Sequence, residues 1–253
     1  MNEYYSKQIK EIPDKDNPFA FSEMYFQGYN LNKEILPKLD FIDWLGLCFF
    51  ERKLNENEKD IINKLPIIIS NLGVRDNAVL AAMNTAYHGA PVQNVLITYF
   101  GTSGGFYNGA KEISELMTQL NTDSIEELLI RIKNIKGKNY KFHGNVKNYI
   151  GLMNYTNHTP ENITDIINFL NKYKDLRKTK WILKNKKNIE EKMNMSINLN
   201  MIVASIFYDL KINNDKAEAL FMYLFMPFAF TTAIEQKGDK RFPFYDKINE
   251  KKD

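Results

Sequence analysis

Apolar residues recur along most of this chain at helical spacing. Ile125, Leu128, Leu129 and Ile132 follow the i, i+3, i+4, i+7 rule. Asp123 and Glu126 stand before them in capping-box spacing and Gly137 follows, so a helix opening at Asp123 is predicted. Ile163, Ile166, Ile167 and Leu170 repeat the pattern, with Thr159 as N-cap and Pro160 in the first turn. Ile202, Val203, Ile206 and Phe207 mark another helix. Asp215 and Glu218 open a long apolar one through Leu220, Phe221, Leu224 and Phe225. Strand-like alternation is scarce, and the two ambiguous runs are Pro66 to Ile69 and Val95 to Phe100. With no internal repeat and no Pro/Gly/Ser linker, the predicted class is all-α.

The longest apolar run, Ala219 to Ile234, is shorter than the ~20 residues of a membrane span and carries Pro227, which predicts a buried core helix. Met1 to Pro13 is polar, without the apolar stretch of a secretory signal. Cys48 is the single cysteine, so no internal disulfide can form and a reducing, cytoplasmic setting is expected. The chain has 253 residues, 44% hydrophobic and 26% charged, with a net charge of +3. That length holds one large domain or two modest ones, and that charge gives no strong field for nucleic acid or a membrane. Positive charge is densest at Asn134 to Lys147 and Lys172 to Lys187. Solvated helix faces account for it, and the sharper reading is a rim for the phosphates of a nucleotide-bearing ligand.

The segment Ser70 to Glu112 carries the most specific pattern. Asn71-Leu72-Gly73 is followed by a helix of small residues and then by Tyr107-Asn108-Gly109-Ala110-Lys111-Glu112. Together these resemble the D-H-G motif, small-residue helix and H-G-G-A-N-E helix start of citrate synthases, with no gap between them. Ile197 to Asn200 falls on that family's N-V-D motif. Leu220 to Gln236 falls on the segment that carries the arginine of the family's penultimate helix, and Arg241-Phe242-Pro243-Phe244 is similar to the R-H-P-W of citryl-CoA lyase domains. Gln27 to Leu31 resembles the R-G-Y-D-L entry, and Phe41 to Leu54 the helix after it. The resemblance spans nearly the whole chain, in order and at the right spacing.

The resemblance to the citrate synthase and citryl-CoA lyase family implies a helical homodimer. A large domain would combine residues 1–112 and 194–253, with a small domain inserted at 113–193 and a cleft between them. In that family a CoA thioester is enolised and condensed with a keto acid, or the cleavage is run. The reaction needs a base or acid at the α-carbon, a donor for the enolate oxygen and cations for the carboxylates. Asn200 takes the place of the aspartate base, and an amide cannot accept a proton near neutral pH. Leu72 replaces the D-H-G histidine and Phe225 the arginine. These changes argue against citrate and for a less charged acyl substrate, with a CoA thioester possible and no cofactor required. Tyr107, at the H-G-G histidine, and His143, at the G-H-R histidine, are the remaining polar candidates beside Asn200. Arg241, Phe225 and Leu72 are candidate substrate contacts.

Two function classes follow. One is a repurposed lyase or transferase using His143, Tyr107 and Asn200; the other is a catalytically inactive homologue acting as a binding or scaffold protein. Gly101-Thr102-Ser103-Gly104-Gly105 matches a G-x-S-x-G nucleophile elbow, but that motif needs an alternating strand-helix fold this pattern does not give. No His/Cys/Glu pair stands at metal-ligand spacing on a helix.

Overall fold

The computed structural model describes residues 4–17, 19–135, 141–142, 146–147, 149–153 and 159–238. It divides into two compact units, Met1–Lys64 and Leu65–Asp253.

The first unit holds a four-stranded antiparallel sheet that the periodicity did not announce. Its order is β1 (Tyr4–Tyr5), β2 (Ile9–Pro13), β3 (Phe21–Phe26) and β4 (Tyr29–Asn30). β2 and β3 pair from Ile9↔Phe26 onward, and the register shifts between Ile12 and Pro13. Gln27 and Gly28 both have positive φ, 48° and 82°, which is what a two-residue hairpin turn requires. Asn30 then caps a π-helical turn, Leu31–Ile35: its side chain accepts from Asn32 and Lys33 N–H, and its own N–H donates to Glu34. α1 (Leu36–Lys38) and α2 (Phe41–Phe50) follow, and the Asp40/Asp43 pair forms a capping box at the start of α2. Phe26, Ile35 and Leu47 form one buried cluster of this unit, with Trp44 and Cys48 against it. α3 (Glu56–Ile69) carries the chain into the second unit.

The second unit is helical. A 3-10 turn, Ser70–Arg75, leads to α4 (Asn77–Tyr87), α5 (Val92–Ser103), α6 (Ala110–Gln119) and α7 (Ile125–Lys133). Short strands β5 (Lys141–Phe142), β6 (Val146–Lys147) and β7 (Leu152–Met153) precede α8 (Glu161–Leu170) and α9 (Arg177–Met193). β8 (Ser196–Ile197), α10 (Leu199–Asp209) and α11 (Asn214–Ile234) complete the described elements. Both ambiguous runs are helical, lying in α3 and α5. α10 is the central element: Leu199 to Phe207 are all buried, and it packs on α6 and α9.

α11 packs against α4, α5 and α6 through Leu220, Phe221, Leu224 and Phe225. It buries one face and not its whole girth, since Tyr223 and Ile234 remain exposed. Among the described residues it is the one helix long and apolar enough to cross a bilayer by length and composition. Several lysines of residues 172–192 have partners within the fold. Lys178 is buried, donating to Thr122 O and Asp123 while lying over the Trp181 ring. Lys186 pairs with Glu190, and Lys192 with Glu126.

Candidate functional site

Four helices of the second unit begin around one cavity of about 500 Å³, lined by residues 71–77, Asn108, Met153, Pro160, Asn162, Ile163 and 198–200. Asp76 and Asn77 start α4, Asn108 precedes α6, Pro160 to Ile163 start α8, and Asn198 to Asn200 start α10. Six of the fifteen wall residues are asparagines.

Local rules explain why the chain turns here. Gly73 has φ 69° and ψ −170°, a region that glycine alone enters freely. A Cβ at that position would meet nothing within 4 Å, so the backbone angle and not crowding calls for glycine. The chain then reaches Asp76, whose carboxylate accepts from the N–H groups of Ala78 (2.9 Å) and Val79 (3.2 Å) and caps α4. At Gly109 space decides: a Cβ would lie 2.4 Å from Gly105 O and 2.7 Å from Ser103 O.

Behind the wall, Glu112 is buried at 2% exposure in the first turn of α6. Its Oε1 accepts from Gly151 N–H (2.7 Å) and Asn198 Nδ2 (3.0 Å), and its Oε2 from Asn108 N–H (2.6 Å) and Asn200 Nδ2 (3.2 Å). Four donors on one carboxylate tie together α6, α10 and the strand segment at β7. Gly151 has φ 77°, and a Cβ there would sit 2.5 Å from Met201 Cε, so no other residue presents that N–H in the same way. Pairing of Leu152 with Ile197 and donation from Asn198 N–H to Gly151 O (2.9 Å) hold the segment in place.

Asn198 has a fixed amide orientation, because its Oδ1 accepts from Met201 N–H (2.9 Å) as the cap of α10. Asn200 is 1% exposed; its Nδ2 is spent on Glu112, and its Oδ1 has no partner among the described residues. Burial pushes the Glu112 carboxyl upward, and its four hydrogen bonds pull it part of the way back. Burial likewise pushes Asp76 upward against its two backbone donors.

Of the sequence candidates, Leu72 and Asn200 stand on the wall. Tyr107 is half-buried with its ring edge-on to Phe106, centroids 5.2 Å apart, and is not on the wall. Phe225 is 1% exposed among Tyr99, Phe221 and Phe228, with centroids at 6.2, 6.4 and 5.8 Å, and is not on the wall either. His143 and Arg241 lie outside the described residues. The wall carries many amides, yet most of its exposed lining is apolar. Ser103 of the G-x-S-x-G match is buried in the last turn of α5, donating to Phe100 O, which is no strand-to-helix elbow.

Sequence reasoning passed over Arg75, Asp76, Glu112 and Asn198. Glu112 and Asn198 were visible as the last residue of the H-G-G-A-N-E match and the first of the N-V-D match. Asp76, before Asn77-Ala78-Val79, carried an N-cap signal. Arg75 lines the cavity, is exposed, and makes no ion pair among the described residues. Among the described residues no group of three His, Cys, Asp or Glu could hold a metal ion.

This architecture is citrate-synthase-like. The citryl-CoA lyase from Hydrogenobacter thermophilus matches it with a TM-score of 0.67 and 16% identity, covering 99% of this chain and 93% of that one. The ATP citrate lyase from Methanothrix soehngenii, solved in complex with citrate and coenzyme A, matches with a TM-score of 0.62 and 16% identity; the match covers 93% of this chain but 38% of that one. A mutant Methanosaeta concilii ATP citrate lyase in complex with (3S)-citryl-CoA gives 0.60, 16%, 93% and 38%. No protein-family profile and no curated protein sequence matches the chain. The chain therefore has the citryl-CoA lyase fold.

Proposed function

We propose that this chain binds an acyl, CoA-thioester-related ligand in the cavity beside Asn200, and makes or breaks a bond in a substrate less charged than citrate. The observation that carries the reading is the open cavity itself, walled by Leu72 and Asn200 and left unfilled by Phe225. Its wall cannot run the family's usual enolisation. Asn200 offers no basic group, and its amide N–H already serves Glu112. Leu72 has nothing to donate to an enolate.

Asp76 is the carboxylate on the wall, and its upward shift moves it toward the range where a carboxylate works as a base at neutral pH. We assign it the proton transfer in this reading. The working form in this reading is a homodimer.

The test is thermal unfolding with acetyl-CoA, CoA and citrate at about 100 times a micromolar dissociation constant, where a ligand stabilises by about 2.7 kcal/mol. Acetyl-CoA should raise the midpoint and citrate should not. Exchange of the acetyl α-hydrogens into D2O should then be seen and should vanish in Asp76→Asn. No shift with either CoA species ends the thioester reading. Binding without exchange supports the second reading, a non-catalytic binding homologue, which the Asn200–Glu112 bond favours.

A further inference from the structure

We infer that Arg75 is an anchor for a single carboxylate on the acyl ligand, and that the charge around the cavity sets that number at one. The inference rests on the ligand-binding reading above and deepens it.

Four helix starts face the cavity, those of α4, α6, α8 and α10, each ten or eleven residues long. A helix start carries roughly half a positive charge, so the four supply about two. Two carboxylates already sit on them. Asp76 caps α4, and Glu112 bridges the first turns of α6 and α10. The fixed charges therefore cancel to about zero, and Arg75 is left as the net positive group on the wall. Lys111, in the first turn of α6, is paired with Glu218, and Glu161 in the first turn of α8 is exposed and off the wall.

Two further features point to the same ligand. Arg75 has no carboxylate partner among the described residues, and its planar fork suits a carboxylate in two-point contact. Beside it, the amide of Asn77 can donate to the same oxygens, and Asn71 Nδ2, which gives one hydrogen to Ile67 O (3.0 Å), has a second to offer. At the other end of the wall, the enclosed Oδ1 of Asn200 has no donor. A hydroxyl or N–H on the ligand would complete it after a turn of the side chain, since the oxygen is enclosed as it stands. The fitting compound carries one carboxylate and one donor, whereas a tricarboxylate brings two negative charges with no counter-charge.

Calorimetric titration with small probes that lack CoA tests this apart from the thioester reading. Lactate should bind the whole chain at least about tenfold more tightly than lactamide, the scale of a hydrogen bond to a charged group. Arg75→Gln should erase that preference while leaving the unfolding midpoint unchanged, since the side chain is exposed; Arg75→Lys should keep part of it. Citrate should bind no more tightly than lactate, and propionate, lacking the hydroxyl, more weakly. Equal binding of lactate and lactamide, or a preference that survives Arg75→Gln, overturns the anchor. Propionate equal to lactate overturns the role of Asn200. Lactate selectivity with no acetyl-CoA response leaves the anchor standing and removes the thioester.

Discussion

Asn200 stands between a buried acid and a cavity, and its amide is suited to both protonation states of that acid. Against the Glu112 carboxylate it donates through Nδ2, leaving Oδ1 without a partner. Turned over, the same amide can accept a hydrogen bond through Oδ1 from the carboxylic acid. An aspartate has no such choice. Asn200→Asp would set two buried carboxyl groups about 3.2 Å apart, and an uncompensated buried charge costs about 3–5 kcal/mol. The variant is expected to unfold at lower urea concentration, with the loss growing as pH rises, because the pair shares one proton at low pH and repels when both are charged. Urea midpoints of the variant against the parent between pH 4 and 8 check it; a constant difference across that range would falsify the shared-proton account. The sequence made Asn200 and Leu72 legible because both fall inside motifs. Glu112 also falls inside a motif, but it matters through four donors that converge only after folding, so its position alone did not reveal its role. Arg75 had no motif around it, and its standing as the uncompensated cation on the wall depends on helix starts far apart in sequence.

At the scale of elements, helix existence was legible and helix starts were less so. α7 is capped by Ser124, which accepts from Glu127 N–H (3.3 Å), and not by Asp123. α8 has Pro160 at its N-cap position, while Thr159 donates to Glu190 (2.6 Å). α11 is capped by Asn213 and not opened by Asp215. Each error is one or two residues, where adjacent oxygen-bearing side chains compete and only the residue with extended backbone angles can cap. Ser124→Ala should therefore cost about 1 kcal/mol. Asp123→Ala should cost less, since its carboxylate is 93% exposed in its pair with Lys178. Equal losses in denaturant titrations of the two variants would return the cap to Asp123. The sheet of the first unit was missed because β2 and β3 are short, mostly exposed or half-buried, and carry Lys, Glu and Ser among their apolar residues. Gly151 is the element-scale weak point of the site. Gly151→Ala meets both a positive φ and the Met201 and Leu116 side chains, and about 2 kcal/mol or more should be lost from strain and overpacking.

For the whole molecule, two sets of carboxyl groups act on stability in opposite directions. Asp40 is held low by the Asp43 backbone N–H and then by Lys59, Glu127 by the Thr122 hydroxyl and then by Arg131, and Glu23 and Glu126 by Lys33 and Lys192. Their contribution is present above the unfolded value, near 4.5 for glutamate, and is lost as pH falls through the folded one. Glu112 and Asp76 are raised, so their contribution is present below the unfolded value and is lost as pH rises through the folded one. Stability should fall on both sides of the mildly acidic range. The exposed pairs are screened by salt within about 10 Å at 0.1 M, whereas buried Glu112 is not. Added salt should therefore flatten the acid limb and leave the other limb in place, and Glu112→Gln should remove part of the latter. Unfolding midpoints from pH 3 to 8 at low and high salt decide this, and a salt-insensitive acid limb would rule it out. The helical class and its long-range order were legible because the period of burial repeats over many turns. The cavity was not, because an amide wall assembled from four helix starts has no period at all.

An amide wall also ages. Asn108 is exposed, holds a left-handed backbone with φ 57°, and is followed by Gly109, which has no side chain to shield its backbone nitrogen. Attack of that nitrogen on the Asn108 side-chain carbonyl expels ammonia, and hydrolysis of the resulting ring leaves an aspartate or isoaspartate. One such event adds a negative charge to a wall whose fixed charges leave only Arg75 in surplus. Protein stored warm at mildly alkaline pH should therefore lose its selectivity for a carboxylate in step with conversion at this peptide, as mass spectrometry of the digested chain would follow, while Asn108→Gln keeps it.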